Sequence, residues 1–240
     1  SAVDKTMDCA DALDMAKDMK KSGLDTYAAY LSGGEWTVYV KDASVSAVEA
    51  AADENASRVS FEGVAITGGE APVLVPENAV MMGGNVADTF KLNSMPYRGM
   101  LTFSVNGSSM TGVNIIGLEE YLYGVVPSEM PKSYDAEALK AQAVAARTYA
   151  MTKLGAHTGS GYQLCDTTAC QVYKGYSNEA DATTAAVDAT AGEVACYNGS
   201  PIEAVFSAST GGYTESSENV WNTAVPYLRA VPEPGEYGDN

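Results

Sequence analysis

Apolar and polar positions in the first 70 residues follow a pattern that predicts a small separate unit. Their periodicity predicts, in chain order, a helix at 7–21, strands at 26–31 and 36–40, a helix at 44–53 and a strand at 59–66. A glycine-containing turn at 32–35 joins the first two strands into a hairpin. These elements indicate a compact α+β unit over residues 1–70, which ends at a seam rich in glycine at 68–72.

Residues 71–240 follow a different plan, in which strands come first and helices later. The pattern predicts strands at 73–75, 89–92, 99–105 and 111–116, helices at 118–123, 135–155 and 181–192, and a hairpin of 194–198 with 201–206. Ser177 or Asn178 is the expected cap of the third helix, and Asn198-Gly199 is a strong hairpin-turn signal. The predicted fold class is α+β: the small helix and hairpin unit precedes a larger mixed α+β domain with a long alanine-rich helix.

Two prolines bracket a glutamate just before the long helix. Pro127 restricts the chain after an apolar run, and Pro131 keeps the next helix from starting early. We therefore expect Glu129 to lie in a fixed, irregular turn. A glutamate in a turn is commonly a simple surface acid, but one held rigidly beside a packed helix is a candidate catalytic group.

The long helix carries two cations within its apolar face. Its expected N-cap is Asp135. On a helical wheel of about 100° per residue, one apolar arc contains Leu139, Ala143, Val144, Ala146, Ala150, Met151 and Leu154. Lys140 and Arg147 fall inside this arc, where each needs an anionic partner unless its stem only covers the edge of the core. Gln142 and Tyr149 flank the arc with hydrogen-bonding groups.

Composition and charge narrow the function classes. The formal net charge of −17 argues against nucleic acid and anionic membrane surfaces as partners. No apolar run reaches the length of a membrane span. The first residues show neither the basic nor the apolar region of a signal peptide, so either there is none or a signal or anchor has been removed.

Several stretches of the second domain together carry a family signature. The longest is GLEEYLYGVVPSEMPKSYDAEALKAQAVAARTYA at 117–150. The others are YRG at 97–99, VN at 113–114, CDTTACQVY at 165–173, SASTGGYT at 207–214, VW at 220–221 and PYL at 226–228. In this order they resemble the stage II sporulation protein D (SpoIID) family, secreted bacterial peptidoglycan lytic transglycosylases. Relatives generally continue further, so we expect this chain to be a piece of a longer protein.

The resemblance implies cleavage of the bond between N-acetylmuramic acid and N-acetylglucosamine in peptidoglycan glycan strands, which leaves 1,6-anhydro ends. Glu129 would act alone, first as acid and then as base, and no cofactor is required. Because Glu129 must hold its proton in the free enzyme, Lys140 and Arg147 should not both contact it. The expected substrate-binding residues are Lys140, Gln142, Arg147, Tyr149, Gln171, Tyr173, Ser207, Ser209, Thr210, Gly211, Gly212, Tyr213 and Trp221. Segments 171–173 and 207–213 are expected to converge on 125–147.

Two other functions stay open at this stage. The domain could be a non-catalytic module that binds cell-wall glycan or serves as a scaffold for partner enzymes. It could also be a hydrolase in which Glu129 works with Glu119 or Glu120, since ordinary glycosidases use two carboxylates.

The loop after the long helix contains residues that can bind zinc or form a disulfide. His157, Cys165 and Cys170 supply three zinc ligands, but their spacing is not that of a common zinc module. Some relatives complete such a site with a histidine where this chain has Ala169. In a secreted protein Cys165 could instead pair with Cys170, or one of them with Cys196, and we place a disulfide ahead of zinc and zinc ahead of free thiols.

The N-terminal unit and the expected partners complete these predictions. GLDTY at 23–27 and WTVYV at 36–40 are similar to the sporulation-related repeat (SPOR-like) fold that binds glycan strands, with a structural appendage without a ligand as the alternative. The resemblances imply peptidoglycan glycan strands as partner, with other cell-wall hydrolases or sporulation proteins as further partners. They also imply an extracytoplasmic location, in the cell wall or anchored to the membrane, with the anchor or signal removed.

Overall fold

The computed structural model describes residues 1–32, 34–60, 64–67, 72–76, 79–82, 89–106 and 109–233. Internal contacts divide the chain into two compact units, Ser1–Met81 with Leu101–Val113, and Met82–Met100 with Asn114–Asn240. The first unit thus takes in residues beyond the boundary predicted at residue 70. The predicted seam at 68–72 lies outside the described residues except for Pro72. The predicted α+β class is confirmed.

The N-terminal unit contains a six-stranded sheet and two helices. Its elements are β1 (Ala2–Val3), α1 (Cys9–Lys20), β2 (Thr26–Ser32), β3 (Glu35–Val40), α2 (Val45–Ala52), β4 (Ala56–Ser57), β5 (Val64–Ile66) and β6 (Val73–Val75). The strand order is β4-β1-β3-β2-β6-β5, with an antiparallel β2–β3 hairpin and a parallel β2–β6 pair. Both predicted helices and the predicted hairpin are present. The predicted strand at 59–66 is shorter, and β1 and β4 were not predicted, since two residues carry no periodicity.

Caps and buried stripes explain why the two helices form where they do. Asp8 accepts a hydrogen bond from the backbone N–H of Asp11, and Ser44 accepts one from that of Ala47. The helices cover the side of the sheet to which Val38 and alternate neighbours point. The buried core consists of Val3, Ala16, Met19, Val38, Val40, Val48 and Ala56.

The rest of the chain begins with short strands and continues into helices. Its elements are β7 (Met81–Met82), β8 (Phe90–Leu92), β9 (Met95–Tyr97), β10 (Met100–Asn106), β11 (Ser109–Ile115), α3 (Leu118–Glu129), α4 (Ala136–Lys153), α5 (Asp181–Ala189), β12 (Cys196–Tyr197), β13 (Ser200–Pro201) and α6 (Ser217–Trp221). The sheets are β11-β10-β7, β8-β9 and β12-β13. Asn198 and Gly199 have φ of 50° and 80°, the left-handed values that a two-residue hairpin turn requires. The predicted hairpin is therefore present, but each strand has only two residues.

Three helices build the core of the C-terminal unit. α3, α4 and α5 pack on one another around Tyr121, Leu122, Val125, Val126, Ala143, Ala146, Ala150 and Val187. Alanine in α4 permits the close approach of its neighbours. Asp135 caps α4 as predicted, accepting from the backbone N–H of Glu137. The apolar arc of α4 is narrower than predicted, because Met151 and Leu154 are exposed.

One predicted helix end and one predicted helix cap were wrong. The helix predicted at 118–123 continues through Pro127 to Glu129, and the hydroxyl of Ser128 donates to the Gly124 carbonyl at 2.6 Å within its last turn. Met130 is extended because it precedes Pro131, so the second proline ends the helix and the first does not. The start of α5 carries no side-chain cap bond.

Ser177 and Asn178 instead belong to a short 3-10 turn, Tyr176–Asn178. Among the described residues, no helix combines the length and the apolar character needed to cross a membrane.

Candidate functional site

Glu129 is the last residue of α3 and is half-buried. The prediction of an irregular turn is corrected, but the carboxylate is held in place. The backbone N–H of Val172 donates to its Oε1 at 2.7 Å. Among the described residues, no hydrogen bond is formed by the other carboxylate oxygen, Oε2.

A buried glutamine fixes the segment that provides this amide. Gln171 is 1% exposed and both ends of its side chain are bonded. The hydroxyl of Tyr121 donates to its Oε1 at 3.3 Å, and its Nε2 donates to the Ala146 carbonyl at 3.2 Å. Because Gln171 is hydrogen-bonded to both α3 and α4, the neighbouring Val172 amide has a fixed position relative to Glu129.

The next residue, Tyr173, ties the same segment to the end of β11. Its hydroxyl donates to Asn114 Oδ1 at 2.9 Å, and the Asn114 amide donates to the carbonyls of Arg98 and Met100 at 2.8 and 3.1 Å. Its ring lies against that of Tyr121, with centroids 5.2 Å apart. Burial raises the pKa of both tyrosines well above the usual range, so the two hydroxyls stay protonated at neutral pH.

Glycine at position 124 makes room for this ring. A Cβ at Gly124 would lie 2.6 Å from the Tyr173 ring and 3.2 Å from the Gly175 carbonyl. Any side chain there would push the 171–175 segment away from α3. Glycine is therefore required at this position of the motif because the 171–175 segment lies close against α3.

Arg147 lies in the interior and is not on an open surface. It is 1% exposed, and its guanidinium forms two hydrogen bonds with the Glu119 carboxylate, at 2.9 and 2.7 Å. It also donates to the carbonyls of Glu193 and Val187 at 3.0 and 3.2 Å. A side chain buried and bonded in this way cannot contact a polymer, which corrects the expected substrate-binding role. The cation predicted in the apolar arc has its anion in Glu119.

Lys140, Gln142 and Tyr149 have three different surroundings. Lys140 is partly exposed and forms an ion pair with Glu137 at 2.7 Å, so its anionic partner lies one turn earlier on the surface of α4 and its stem covers only the edge of the core. Gln142 is 8% exposed. Tyr149 is half-buried, packs edge-on against Phe206 and lies beneath the Lys153 ammonium, 5.6 Å from its ring centroid.

The segment expected to form the opposite wall is largely exposed. Ser207, Ser209, Gly211, Tyr213 and Trp221 are exposed, while Gly212 is buried. Thr210 donates to Glu233 at 2.7 Å, and Tyr213 pairs with Pro232 through a β-bridge. Phe206, the residue just before this segment, contacts Tyr149 of α4, the helix that follows Glu129. Its convergence on Glu129 stays a prediction.

Glu119 and Glu120 do not form a carboxylate pair with Glu129. They lie ten and nine residues earlier on α3, a distance of about 15 and about 13.5 Å along the axis. Pairs in two-carboxylate glycosidases are about 5–9.5 Å apart. The hydrogen bonds from Arg147, followed by the backbone N–H of Gly192, lower the pKa of Glu119 against the opposing effect of burial. The structure therefore argues against the predicted hydrolase.

His157, Cys165 and Cys170 form a compact cluster. Their ligand atoms all lie within 4.8 Å of one another, and His157 Nε2 is 3.3 Å from Cys170 Sγ. All four cysteines are free thiols, so the disulfide placed first is absent from the structure. Although burial opposes it, the hydrogen bonds with Thr167 lower the pKa of the Cys165 thiol to about 7, which favours the thiolate that zinc binds. Burial raises the pKa of the Cys170 thiol, so this cysteine would give up its proton on binding the metal. Two cysteine sulfurs and an imidazole fit zinc, whose tetrahedral coordination would take one further ligand.

A separate groove of about 380 Å³ lies in the N-terminal unit. Its lining includes Thr37 and Tyr39, which alternate along β3 with the buried Val38 and Val40 and so lie on the opposite side of the strand. The predicted glycan-binding role of this unit would use such a surface, and it stays a prediction.

Sequence reasoning missed three parts of the site. The first is the backbone N–H of Val172, whose role cannot be predicted from the type of residue at that position. Tyr121 and Asn114 lie inside the quoted motifs, but their role depends on Gln171 and Tyr173, which come 50 and 59 residues later.

Comparison with known proteins gives the following similarities. The Stage II sporulation protein (SpoIID) family matches residues 106–197. The chain is 44% identical over 145 residues to an uncharacterised protein of Brachyspira hyodysenteriae, covering 60% of this chain and 39% of that protein. It is 55% identical over 109 residues to the amidase enhancer of Bacillus subtilis, covering 45% of this chain and 14% of that protein. It is 41% identical over 137 residues to stage II sporulation protein D of Bacillus subtilis, covering 51% of this chain and 40% of that protein. The chain thus spans less than half the length of each of these relatives.

Proposed function

Over residues 106–197 the chain belongs to the SpoIID family, and from that premise we propose that it is a peptidoglycan lytic transglycosylase. It cleaves the bond between N-acetylmuramic acid and N-acetylglucosamine in glycan strands and leaves 1,6-anhydro-N-acetylmuramic acid ends. The relatives named for sporulation and for amidase enhancement support a role related to the cell wall.

The observation that carries this proposal is a single held carboxylate. Glu129 accepts the Val172 amide on one oxygen, and the two other nearby candidates on α3 lie too far along the helix to act with it. One carboxyl group suffices when the substrate supplies its own nucleophile. In that reaction Glu129 gives its proton to the glycosidic oxygen as the bond to C1 breaks. The 6-hydroxyl of the N-acetylmuramic acid then attacks C1 of that sugar and gives its proton to Glu129.

The test compares the products of two variants on purified glycan strands. Wild type should release fragments lighter by one water than hydrolysis products, as measured by mass spectrometry, and Glu129→Gln should release none. Glu120→Gln is the matched control on the same helix and should cleave like wild type. Equal cleavage by Glu129→Gln would refute the assignment, and loss of cleavage in Glu120→Gln with ordinary reducing ends in wild type would indicate a hydrolase.

A second candidate is a non-catalytic module that binds glycan and assists a partner enzyme. It is favoured by the similarity to the amidase enhancer, whose name states an action on an amidase. In that case wild type and Glu129→Gln should bind glycan strands equally, and neither should cleave them. Other cell-wall hydrolases or sporulation proteins would then be the partners, and both candidates place the protein outside the cytoplasm.

We also propose that the cluster of His157, Cys165 and Cys170 holds zinc. Zinc would close the loop that leads directly into Gln171 and Val172, so its contribution would be to the folding of the site. The chemistry at the glycosidic bond requires only Glu129.

A further inference from the structure

Gln142 is a buried side chain with an unsatisfied donor. The residue is 8% exposed, and within the described part of the chain its Nε2 is inaccessible to solvent and has no hydrogen-bond partner. An amide nitrogen in that state lowers stability, because its hydrogens have left water without finding an acceptor. One explanation for a buried donor of this kind is a ligand that supplies the missing hydrogen-bond acceptor.

Helix geometry places Gln142 on the part of α4 that lies beside Glu129. Gln142 precedes Ala146 by four residues, so the two share one face of α4. The carbonyl of Ala146 accepts from Gln171, whose neighbour Val172 holds Glu129. Since only residues 130–135 connect α3 to α4 and the two helices pack together, Glu129 lies beside the N-terminal half of α4. Gln142 is one turn nearer that end than Ala146.

Gln171 provides a direct comparison within the same site. Both glutamines are buried, but Gln171 has a donor on its Oε1 and an acceptor for its Nε2. A glutamine whose role is structural should look like Gln171. Among the described residues Gln142 has neither of these bonds, and a ligand carbonyl would supply the acceptor that its buried Nε2 lacks.

The chemistry of the donor limits what it can bind. A carbonyl oxygen accepts hydrogen bonds and donates none, whereas a sugar hydroxyl brings a hydrogen that would itself need a buried acceptor. Two groups of the proposed substrate accept hydrogen bonds without bringing a hydroxyl hydrogen: the acetamido carbonyl, and the lactyl carboxylate of N-acetylmuramic acid, whose charge makes its burial costlier. We propose that Gln142 Nε2 binds the acetamido carbonyl of an N-acetylated sugar next to the scissile bond. This inference rests on the proposed function and adds to it a requirement for N-acetylated strands.

The first experiment measures stability without substrate. Gln142→Met keeps the length of the side chain and removes the unsatisfied donor, so its melting temperature should rise by about 2–4 °C. Gln171→Met, the matched control, removes two satisfied hydrogen bonds and should melt at a lower temperature than wild type. A lower melting temperature for Gln142→Met would show that the amide has a partner in the free protein, and it would overturn the inference.

The second experiment measures binding of glycan strands to protein that carries Glu129→Gln, which prevents turnover. Adding Gln142→Met should weaken binding of N-acetylated strands about 5-fold to 10-fold. On chemically N-deacetylated strands the two proteins should bind alike. Equal binding of N-acetylated strands by both proteins, or an equal loss on both kinds of strand, would refute the acetamido contact.

The same assays separate this inference from the proposed function. If wild type binds glycan without cleaving it, and the binding depends on Gln142, the transglycosylase proposal fails and the acetamido contact stands. If wild type cleaves glycan and Gln142→Met cleaves it with unchanged KM and kcat, only the acetamido contact fails. If wild type neither binds nor cleaves glycan strands, both are refuted.

Discussion

The pair of Arg147 and Glu119 allows a quantitative prediction about α3 and α4. Replacing Glu119 by Gln keeps the shape of the side chain but removes its charge, and leaves the guanidinium buried without an anion. We expect a marked loss of stability and no direct effect on the chemistry at Glu129. The variant therefore separates a structural carboxylate from a second catalytic one.

The magnitude follows from the burial of the two partners. Breaking a fully buried ion pair costs about 3–5 kcal/mol. Arg147 meets that condition at 1% exposed, but the Glu119 side chain is 35% exposed, so solvent screens part of the interaction. The glutamine also keeps one acceptor for the guanidinium. We therefore expect the free energy of unfolding to fall by about 2–3 kcal/mol, or about 4–12 °C in melting temperature for a chain of this size.

The pH dependence has a definite sign. Arg147 holds the pKa of Glu119 below its value in the unfolded chain, which is about 4.3. The stabilisation is therefore present above that pH and is lost as the pH falls through the lower, folded-state pKa. Wild type and Glu119→Gln should differ most at pH 7 and should approach each other below pH 4.

Urea unfolding followed by circular dichroism at pH 7 and pH 3 measures both effects. The control is Glu137→Gln, which breaks an exposed pair with Lys140 and should leave the stability nearly unchanged, because solvent screens that pair. A Glu119→Gln protein as stable as wild type at pH 7 would refute the reasoning. Full stability combined with loss of glycan cleavage would show instead that Glu119 takes part in catalysis.

Two further predictions concern the segment that holds Glu129. Gly124→Ala should lower the free energy of unfolding by about 1–3 kcal/mol and reduce glycan cleavage, because the new methyl group collides with the Tyr173 ring. The control is Gly159→Ala, whose new methyl group meets nothing within 4 Å. Purified protein should retain about one zinc per chain by atomic absorption, and a double Cys165→Ser and Cys170→Ser variant should retain none, while Cys196→Ser should retain it.

Each of these has a clear contrary outcome. A Gly124→Ala protein that unfolds and cleaves like the Gly159→Ala control would show that the Tyr173 ring can move without consequence. A cysteine pair that resists alkylation until a reductant is added, in protein without zinc, would support the disulfide that the sequence favours over the free thiols of the structure.

Local patterns predicted much of this protein correctly. The α+β class, the β2–β3 hairpin, Asp135 as cap of α4 and the Asn198-Gly199 turn each depend on interactions between residues near in sequence. The predicted resemblance to the SpoIID family is confirmed over residues 106–197, where the family model matches. Glu129 was selected on a local feature as well, the prolines on both sides of it, and its catalytic role stays a prediction.

The tertiary structure decided what those residues contact. A helical wheel can place Arg147 on an apolar face, but only the packing of α3 against α4 shows that Glu119 is its partner. The Val172 amide, which donates to Glu129, lies 43 residues later in the chain. Gln171, which positions that amide, is hydrogen-bonded to two helices. Pro127 looked like a helix breaker, yet α3 runs through it because tertiary packing outweighs local propensity there. Sequence determines where helices and strands can form, whereas contacts between distant segments determine which side chains become a site.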